Sequence, residues 1–268
     1  MRIQQKILGT LGILLMMESC EKDININYHE SDPIYVVEAS ISNQGTKVRI
    51  SRTQAMDNNS GDSDIDNATV VISSDNQLHE TIPFSKNGFY ISRLTGTPGN
   101  RYQLDIDLNG QHFSSTSIMQ QTPQMTQFRL VWKKMLSQRY LFGDVRIQDI
   151  ANEENWYFIH LYRNNIGYRW AVIRDDRNPN KELQQLLGLF QEGSNDSDVL
   201  QEGDRLRLVI RAIDQRSYDY LYSMETMDNT GTNPIANFTG GCLGYFSAYG
   251  EITYNYVFHM SDTVEEDE

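Results

Sequence analysis

The sequence predicts a mainly β fold: an N-terminal immunoglobulin- or fibronectin-like sandwich, followed by a second β-rich domain with one or two short helices. Three observations lead to this prediction. Apolar and polar residues alternate along many short segments, as they do in half-buried strands. Turn-forming residues separate these segments at short intervals, and a chain of 268 residues is long enough for two domains.

Residues 1–19 have the parts of a secretory signal peptide. Arg2 and Lys6 give a positively charged start, and residues 7–17 (ILGTLGILLMM) form an apolar run. That run suits the apolar region of a signal peptide and is too short to span a bilayer. We therefore predict that residues 1–19 form a lipoprotein signal peptide that is removed after export.

Cys20 follows the small residue Ser19, as at the cleavage site of a bacterial lipoprotein. A multiply acylated cysteine holds a protein at a membrane, whereas a single acyl chain binds only marginally. We predict lipidation at Cys20, with a lipid anchor and flexible tether over residues 20–33. Glu18 is unusual at such a site, so ordinary cleavage and a buried structural cysteine stay open as alternatives. If Cys20 carries lipid, Cys242 has no intrachain disulfide partner, and we expect it to be buried as a small apolar residue.

The chain is strongly acidic. It has 36 acidic and 23 basic residues and a formal net charge of −13. Such a body repels nucleic-acid phosphates and anionic lipid headgroups, so we expect no nucleic-acid partner. Residues 261–268 (SDTVEEDE) are predicted to form a solvated acidic tail.

Residues 34–122 are predicted to form the immunoglobulin-like β-sandwich. Apolar residues alternate with polar ones over residues 35–41, 47–51 and 102–108, and Asn109-Gly110 is a strong hairpin signal. About seven short strands in roughly 90 residues, with no long helical pattern between them, are typical of this sandwich.

Residues 123–260 are predicted to form the second domain, because Pro123 ends the first unit. Apolar residues recur at helical spacing near residues 181–190 and 215–227, and both segments are predicted to be helices. Asp214 is a suitable start signal for the second of them. The 15 tyrosines of the chain could build a ligand-stacking face, but in a β-rich protein they more often lie between core and water. The strand candidates are residues 127–133, 141–148, 156–162, 169–174, 205–213 and 245–259.

No motif in the sequence identifies a reaction. Ser247 lacks the flanking glycines of a nucleophile elbow. His79 and Glu80 lack the second histidine of a zinc protease motif, and the five histidines are scattered along the chain. We therefore expect a protein that is not an enzyme, with no catalytic, cofactor-binding or metal-binding residues.

Two further segments have a functional and a structural interpretation. Residues 57–66 (DNNSGDSDID) place oxygen ligands at alternate positions, as calcium loops do, but the distal glutamate of an EF-hand is missing. A solvated loop is preferred there, and a structural calcium site is the alternative. Gly240, Gly241 and Gly244 are interpreted as a tight turn into the last strand, because the lysine and helix of a phosphate loop do not follow them.

Short motifs follow one another in a fixed order along the chain. They are residues 20–23 (CEKD), 33–39 (PIYVVEA), 66–72 (DNATVVI), 88–90 (GFY), 98–104 (PGNRYQL), 155–157 (NWY), 202–204 (EGD), 218–221 (YDYL) and 244–248 (GYFSA), with Asn237, Gly240 and Gly241 before the last of them. This series resembles a family of Bacteroidetes lipoproteins catalogued as domain of unknown function 4249. The resemblance covers nearly all of the chain after residue 19, although Cys242 and the predicted helix at residues 181–190 depart from the family pattern.

The resemblance implies a role beside an outer-membrane transporter. Family members are similar to accessory lipoproteins of TonB-dependent transporters, which implies ligand capture or gating at the outer membrane. The acidic residues after Cys20 resemble an export tag for the cell surface. The implied partner is a β-barrel transporter, and the ligand is unknown. A structural or adhesive envelope lipoprotein is the alternative function, and a surface hydrolase is the least favoured one.

Overall fold

The computed structural model describes residues 33–53, 64–150, 153–175, 182–230 and 234–266. Within these ranges most residues form strands, which confirms the predicted mainly β sandwich fold. The strands are β1 (Tyr35–Ser42), β2 (Gly45–Arg52), β3 (Thr69–Ser74), β4 (His79–Thr81), β5 (Phe84–Lys86), β6 (Phe89–Ser92), β7 (Arg101–Leu108), β8 (Gln111–Ile118), β9 (Met125–Met135), β10 (Gln138–Ile147), β11 (Trp156–Arg163), β12 (Ile166–Arg174), β13 (Leu183–Gln191), β14 (Arg205–Ile213), β15 (Leu243–Val257) and β16 (Val264–Glu265), and helix α1 spans Gln215–Thr230.

The described strands form three sheets. One sheet has eight strands in the order β12-β11-β14-β15-β1-β2-β6-β5, and the two others have four strands each, in the orders β13-β10-β9-β16 and β4-β3-β7-β8. In β7, buried residues alternate with more exposed ones as the sequence predicts: Tyr102, Leu104, Ile106 and Leu108 all lie in the interior. They join Val37, Ile50 and Phe246 in the first hydrophobic core.

Strand β15 belongs to both halves of the chain. Residues 243–249 pair with β1 in parallel, and residues 250–257 pair with β14 in antiparallel register. The sequence predicts this strand wholly within the second domain, yet its first half pairs with β1 of the N-terminal half. Because one continuous strand is shared in this way, the described residues from Pro33 onward form a single unit.

A second hydrophobic core lies between β12-β11-β14-β15 and the sheet that contains β9 and β10. Leu141, Val145, Ile159, Leu208 and Phe258 are among its fully buried members. The alternation of β11 and β14 directs one set of side chains into this core and leaves the other set on the outer face of the sheet.

The predicted helix near residues 181–190 is wrong, because Leu183–Gln191 forms β13 and pairs with β10. Leu183, Leu187 and Leu189 lie at even spacing and face the second core, a pattern that a short apolar run shares with a helix. Hydrogen-bonded pairing with the edge of β10 decides in favour of a strand. The predicted helix near residues 215–227 is confirmed as α1.

The acidic end of the chain is held against the protein. Residues Met260–Asp262 form a 3₁₀ turn, and Val264–Glu265 pairs in parallel with β9. Glu266 lies 2.8 Å from the Lys133 ammonium, and Glu265 pairs with Arg139. Basic side chains on β9 and β10 attract these carboxylates, while residues 261, 262, 264 and 265 stay exposed to solvent.

Candidate functional site

The β12-β11-β14 part of the eight-stranded sheet carries a cluster of aromatic and arginine side chains on its outer face. We call this cluster the aromatic face. It is built by β11, β12 and β14, whose opposite faces fill the second core. Its members are Phe158, His160, Tyr162, Trp170, Arg207 and Arg211.

A stack of planar groups forms one end of the aromatic face. The rings of His160 and Tyr162 lie 4.0 Å apart between centroids, with 21° between their planes. The guanidinium of Arg207 lies 3.9 Å from the Tyr162 centroid. Gly167 leaves room for this stack, because a Cβ at that position would lie 3.0 Å from Nε2 of His160. Stacking of arginine and aromatic rings fixes the side chains in one arrangement.

The other end of the aromatic face joins the edge strand β12 to strand β15. Trp170 contacts Phe158 edge-to-face at 5.9 Å, and 39% of its surface is exposed. Arg211 lies over the ring of Tyr249 and donates a hydrogen bond of 3.0 Å to Glu251. Phe158 and Tyr249 are buried in a third hydrophobic cluster with Tyr220 and Leu221 of α1, so Trp170 supplies the exposed aromatic ring at this end.

His160 is uncharged near neutral pH. Burial lowers the pKa of its imidazole to about 4, and the positive charges of Arg211 and Arg207 act in the same direction. The aromatic face therefore obtains its positive charge from arginine and keeps it over the physiological pH range.

We expect His160 to make the folded state less stable in acid. Its pKa is about 4 when folded and 6.5 in the unfolded reference, so the unfolded chain binds the proton first. Stability is fully present above the unfolded pKa and falls as the pH decreases toward 4. An NMR titration of the His160 ring should show no step near 6.5, and urea unfolding of His160→Gln should lose this pH dependence.

His259 provides the matched control for that titration. Its hydrogen bond with Glu202 raises the pKa of the imidazole. The contribution of His259 is therefore present below the unfolded pKa and is lost as the pH rises. An ordinary titration of His160 near pH 6.5 would contradict the buried, neutral state assigned to it.

A family model described as "Domain of unknown function (DUF4249)" matches residues 21–255. The chain belongs to this family. The family resemblance predicted from the sequence motifs is thereby confirmed for the domain. A comparison with curated proteins found no match.

A solved structure of a two fibronectin type-III domain segment from chicken tenascin is similar to this DUF4249 member. The sequence identity is 11% and the TM-score is 0.24, and the match covers 85% of this chain and 100% of the tenascin segment.

The structure also places several of the residues considered in the sequence. Cys242 is 5% exposed and lies in the first core, as expected, and burial raises the pKa of its thiol to about 12. Ser247 is fully buried. In the ranges given above, no group of three or more His, Cys, Asp or Glu side chains could hold a metal ion. Cys20 and residues 57–63 of the acidic loop lie outside the described residues.

The number of tyrosines in the sequence did not predict the aromatic face. A local signal does exist: Trp156, Phe158, His160 and Tyr162 are aromatic at four successive alternate positions. Their alternation with Tyr157, Ile159 and Leu161 leaves no polar face on this strand. The contributions of Arg207 and Trp170 come from other strands and depend on sheet pairing.

Proposed function

We propose that this chain is a non-enzymatic outer-membrane lipoprotein, anchored through Cys20 and exposed at the cell surface, that assists a TonB-dependent transporter by ligand capture or gating. The aromatic face is the observation that carries the proposal, and we assign to it the contact with an extracellular loop of the transporter. The family resemblance supplies the class of partner. None of the helices among the described residues is both long and apolar enough to span a membrane.

The composition of the aromatic face supports a protein partner. Trp, Tyr and Arg are the residue types enriched in the energetically dominant parts of protein interfaces, where they combine large contact area with directed hydrogen bonds. Trp170, Tyr162 and Arg207 supply all three types on neighbouring strands. Ile166 adds an apolar side chain on edge strand β12, with 74% of its surface exposed.

The charge of the aromatic face supports an acidic partner segment. The whole chain has a net charge of −13, whereas this face includes Arg207 and Arg211, and Glu251 pairs with the second of them. A local reversal of charge guides a complementary surface to one place on the molecule and disfavours other orientations. An acidic loop with aromatic side chains would match both the cations and the rings.

Pull-down from gently solubilised membranes tests this proposal. The wild-type chain should recover a β-barrel receptor in stoichiometric amount. The double variant Trp170→Ala, Arg207→Ala should lower that recovery by at least about tenfold, because interface hot spots each contribute about 2 kcal/mol or more. Leu136→Ala is the control, since Leu136 is 99% exposed in the β9–β10 hairpin, away from the aromatic face.

The other outcomes separate the competing functions. Equal recovery of the receptor by the double variant and by Leu136→Ala would show that the aromatic face is not the contact. Absence of any barrel under gentle conditions would favour a structural or adhesive envelope protein. Turnover of a substrate that survives removal of co-purified proteins would instead indicate a surface hydrolase.

A further inference from the structure

The second half of strand β15 has an open edge over residues 252–257. Residues 243–249 of this strand pair with β1, and β1 ends at Ser42. Beyond that point β15 pairs with β14, and no further strand from the described ranges lies on its other side. Tyr254 and Val257 are 40% and 45% exposed along this edge. A strand could therefore be added here, in line with β1.

The side chain of Asn43 shows which backbone groups face this edge. Its amide nitrogen donates a hydrogen bond of 3.0 Å to the carbonyl oxygen of Glu251, and its oxygen accepts one of 3.1 Å from the Glu251 amide. Both backbone groups of Glu251 thus point away from β14. Because residues two apart in a strand direct their backbone groups to the same side, those of Thr253 and Asn255 also face the open edge. Asn43 makes the hydrogen bonds that a peptide group of a neighbouring strand would make.

The sequence of this edge lacks the features that keep exposed strands from pairing. Natural proteins protect such edges with charged side chains, proline or a β-bulge. Residues 252–257 (ITYNYV) contain no charged residue and no proline, and their register with β14 is regular throughout. β-Branched and aromatic residues also have a high strand propensity. These properties favour pairing with a further strand.

We propose that this edge binds an extended segment of a partner protein, which joins the sheet as a further strand beside β15. Main-chain hydrogen bonds to Thr253 and Asn255 hold the segment, and its alternate side chains set the specificity. One row of these side chains lies beside Tyr254 and Tyr256, whose rings contact Phe128 edge-to-face. That row is therefore apolar, and the opposite row, beside Thr253 and Asn255, is polar.

The charge of the chain limits the composition of the partner segment. The net charge is −13, and the edge runs from Glu251 to the region where Asp262 accepts a hydrogen bond from Tyr256. These charges repel an acidic segment, and they also repel a second copy of the chain. The segment that fits alternates apolar and polar residues and has no acidic ones. This inference does not depend on the contact proposed for the aromatic face, which lies on the outer surface of the sheet.

A peptide of alternating threonine and valine, with a lysine at each end, is the probe. Its control is the same peptide N-methylated at two adjacent central residues, because methylation there removes a hydrogen-bond donor from each edge of the peptide. We expect saturable binding of the first peptide to the full chain by calorimetry, and no saturable binding of the second. Binding of both alike, or of neither at millimolar concentration, would overturn the proposal, as would concentration-dependent dimerisation through this edge.

Hydrogen exchange locates the bound peptide. The amides of Thr253 and Asn255 should exchange rapidly in the unbound chain and at least about tenfold more slowly with saturating peptide. The amides of Ile252 and Tyr254 face β14 and should exchange slowly in both states, so they are internal controls. Slow exchange of Thr253 and Asn255 before the peptide is added, or no change on binding, would refute the assignment.

The variants Asn255→Pro and Asn255→Ala test the same hydrogen bond from the side of the chain. Proline lacks the N–H that faces the open edge and is tolerated on an edge strand, so the fold should persist. Alanine keeps this N–H and should bind the peptide at least about tenfold more tightly than the proline variant. Equal affinities would contradict the proposal. If Asn255→Pro fails to fold, the exchange measurement on the wild-type chain still decides.

Discussion

Replacing Gly244 by alanine is expected to destabilise the folded chain by more than about 4 kcal/mol, or to prevent folding. Gly244 has a φ of +102° and pairs with Val37 in the parallel β1–β15 ladder. An added Cβ would lie 1.9 Å from the carbonyl oxygen of Val37 and 2.7 Å from its carbonyl carbon. Backbone atoms inside a sheet cannot move away without breaking the ladder, so the strand that joins both halves would be displaced.

Gly241→Ala is the matched control for this prediction. Gly241 also has a positive φ, +87°, but no heavy atom lies within 4 Å of its added Cβ. Its substitution should cost about 1–2 kcal/mol, the cost of the left-handed conformation alone. Urea unfolding of the two variants measures the difference. Equal destabilisation would show that conformational strain, and not the approach to Val37, determines the requirement for glycine.

Asp214→Ala is expected to cost about 4 kcal/mol. The carboxylate accepts hydrogen bonds from the Ser217 amide (3.0 Å) and hydroxyl (2.7 Å), at the start of α1. It also accepts from the Ser117 hydroxyl (2.8 Å) and the Ile118 amide (3.0 Å) on β8. Removing it takes away a helix cap and leaves several buried donors unsatisfied, each costing about 1–3 kcal/mol.

Asp214→Ala should destabilise strand β15 near Ala248 as well as helix α1. The hydroxyl of Ser117 accepts a hydrogen bond of 2.8 Å from the Ala248 amide on β15. Hydrogen exchange should therefore show lost protection at Ala248 together with α1. Asp75→Ala, at an exposed turn residue, should stay within about 0.5 kcal/mol of wild type. Loss confined to α1 would contradict the link through Ser117.

Local sequence patterns predicted the features that depend directly on the type of side chain at each position. Alternation over residues 102–108 predicts β7 because every second side chain of a strand faces the same core. Asp214 predicts the start of α1 because a carboxylate can satisfy the free amides of the first helical turn. The buried state of Cys242 follows from the preference of a free thiol for the interior.

Other features depend on partners that are distant in sequence. Leu183–Gln191 is compatible with a helix until the open edge of β10 pairs with it. The ion pairs of Glu265 and Glu266 have no local signal, because they depend on Arg139 and Lys133 of distant strands. Likewise, Tyr162 and Arg207 are about 45 positions apart in the numbering, and only the pairing of β11 with β14 places one over the other.

The sequence by itself determined the mainly β character, the family motifs and the prediction of a lipidated Cys20, because each depends on residues that are neighbours along the chain. The tertiary structure alone decided that β15 joins the two halves and that the aromatic face exists. The physical reason is that strand pairing acts between segments whose separation in sequence carries no local signal.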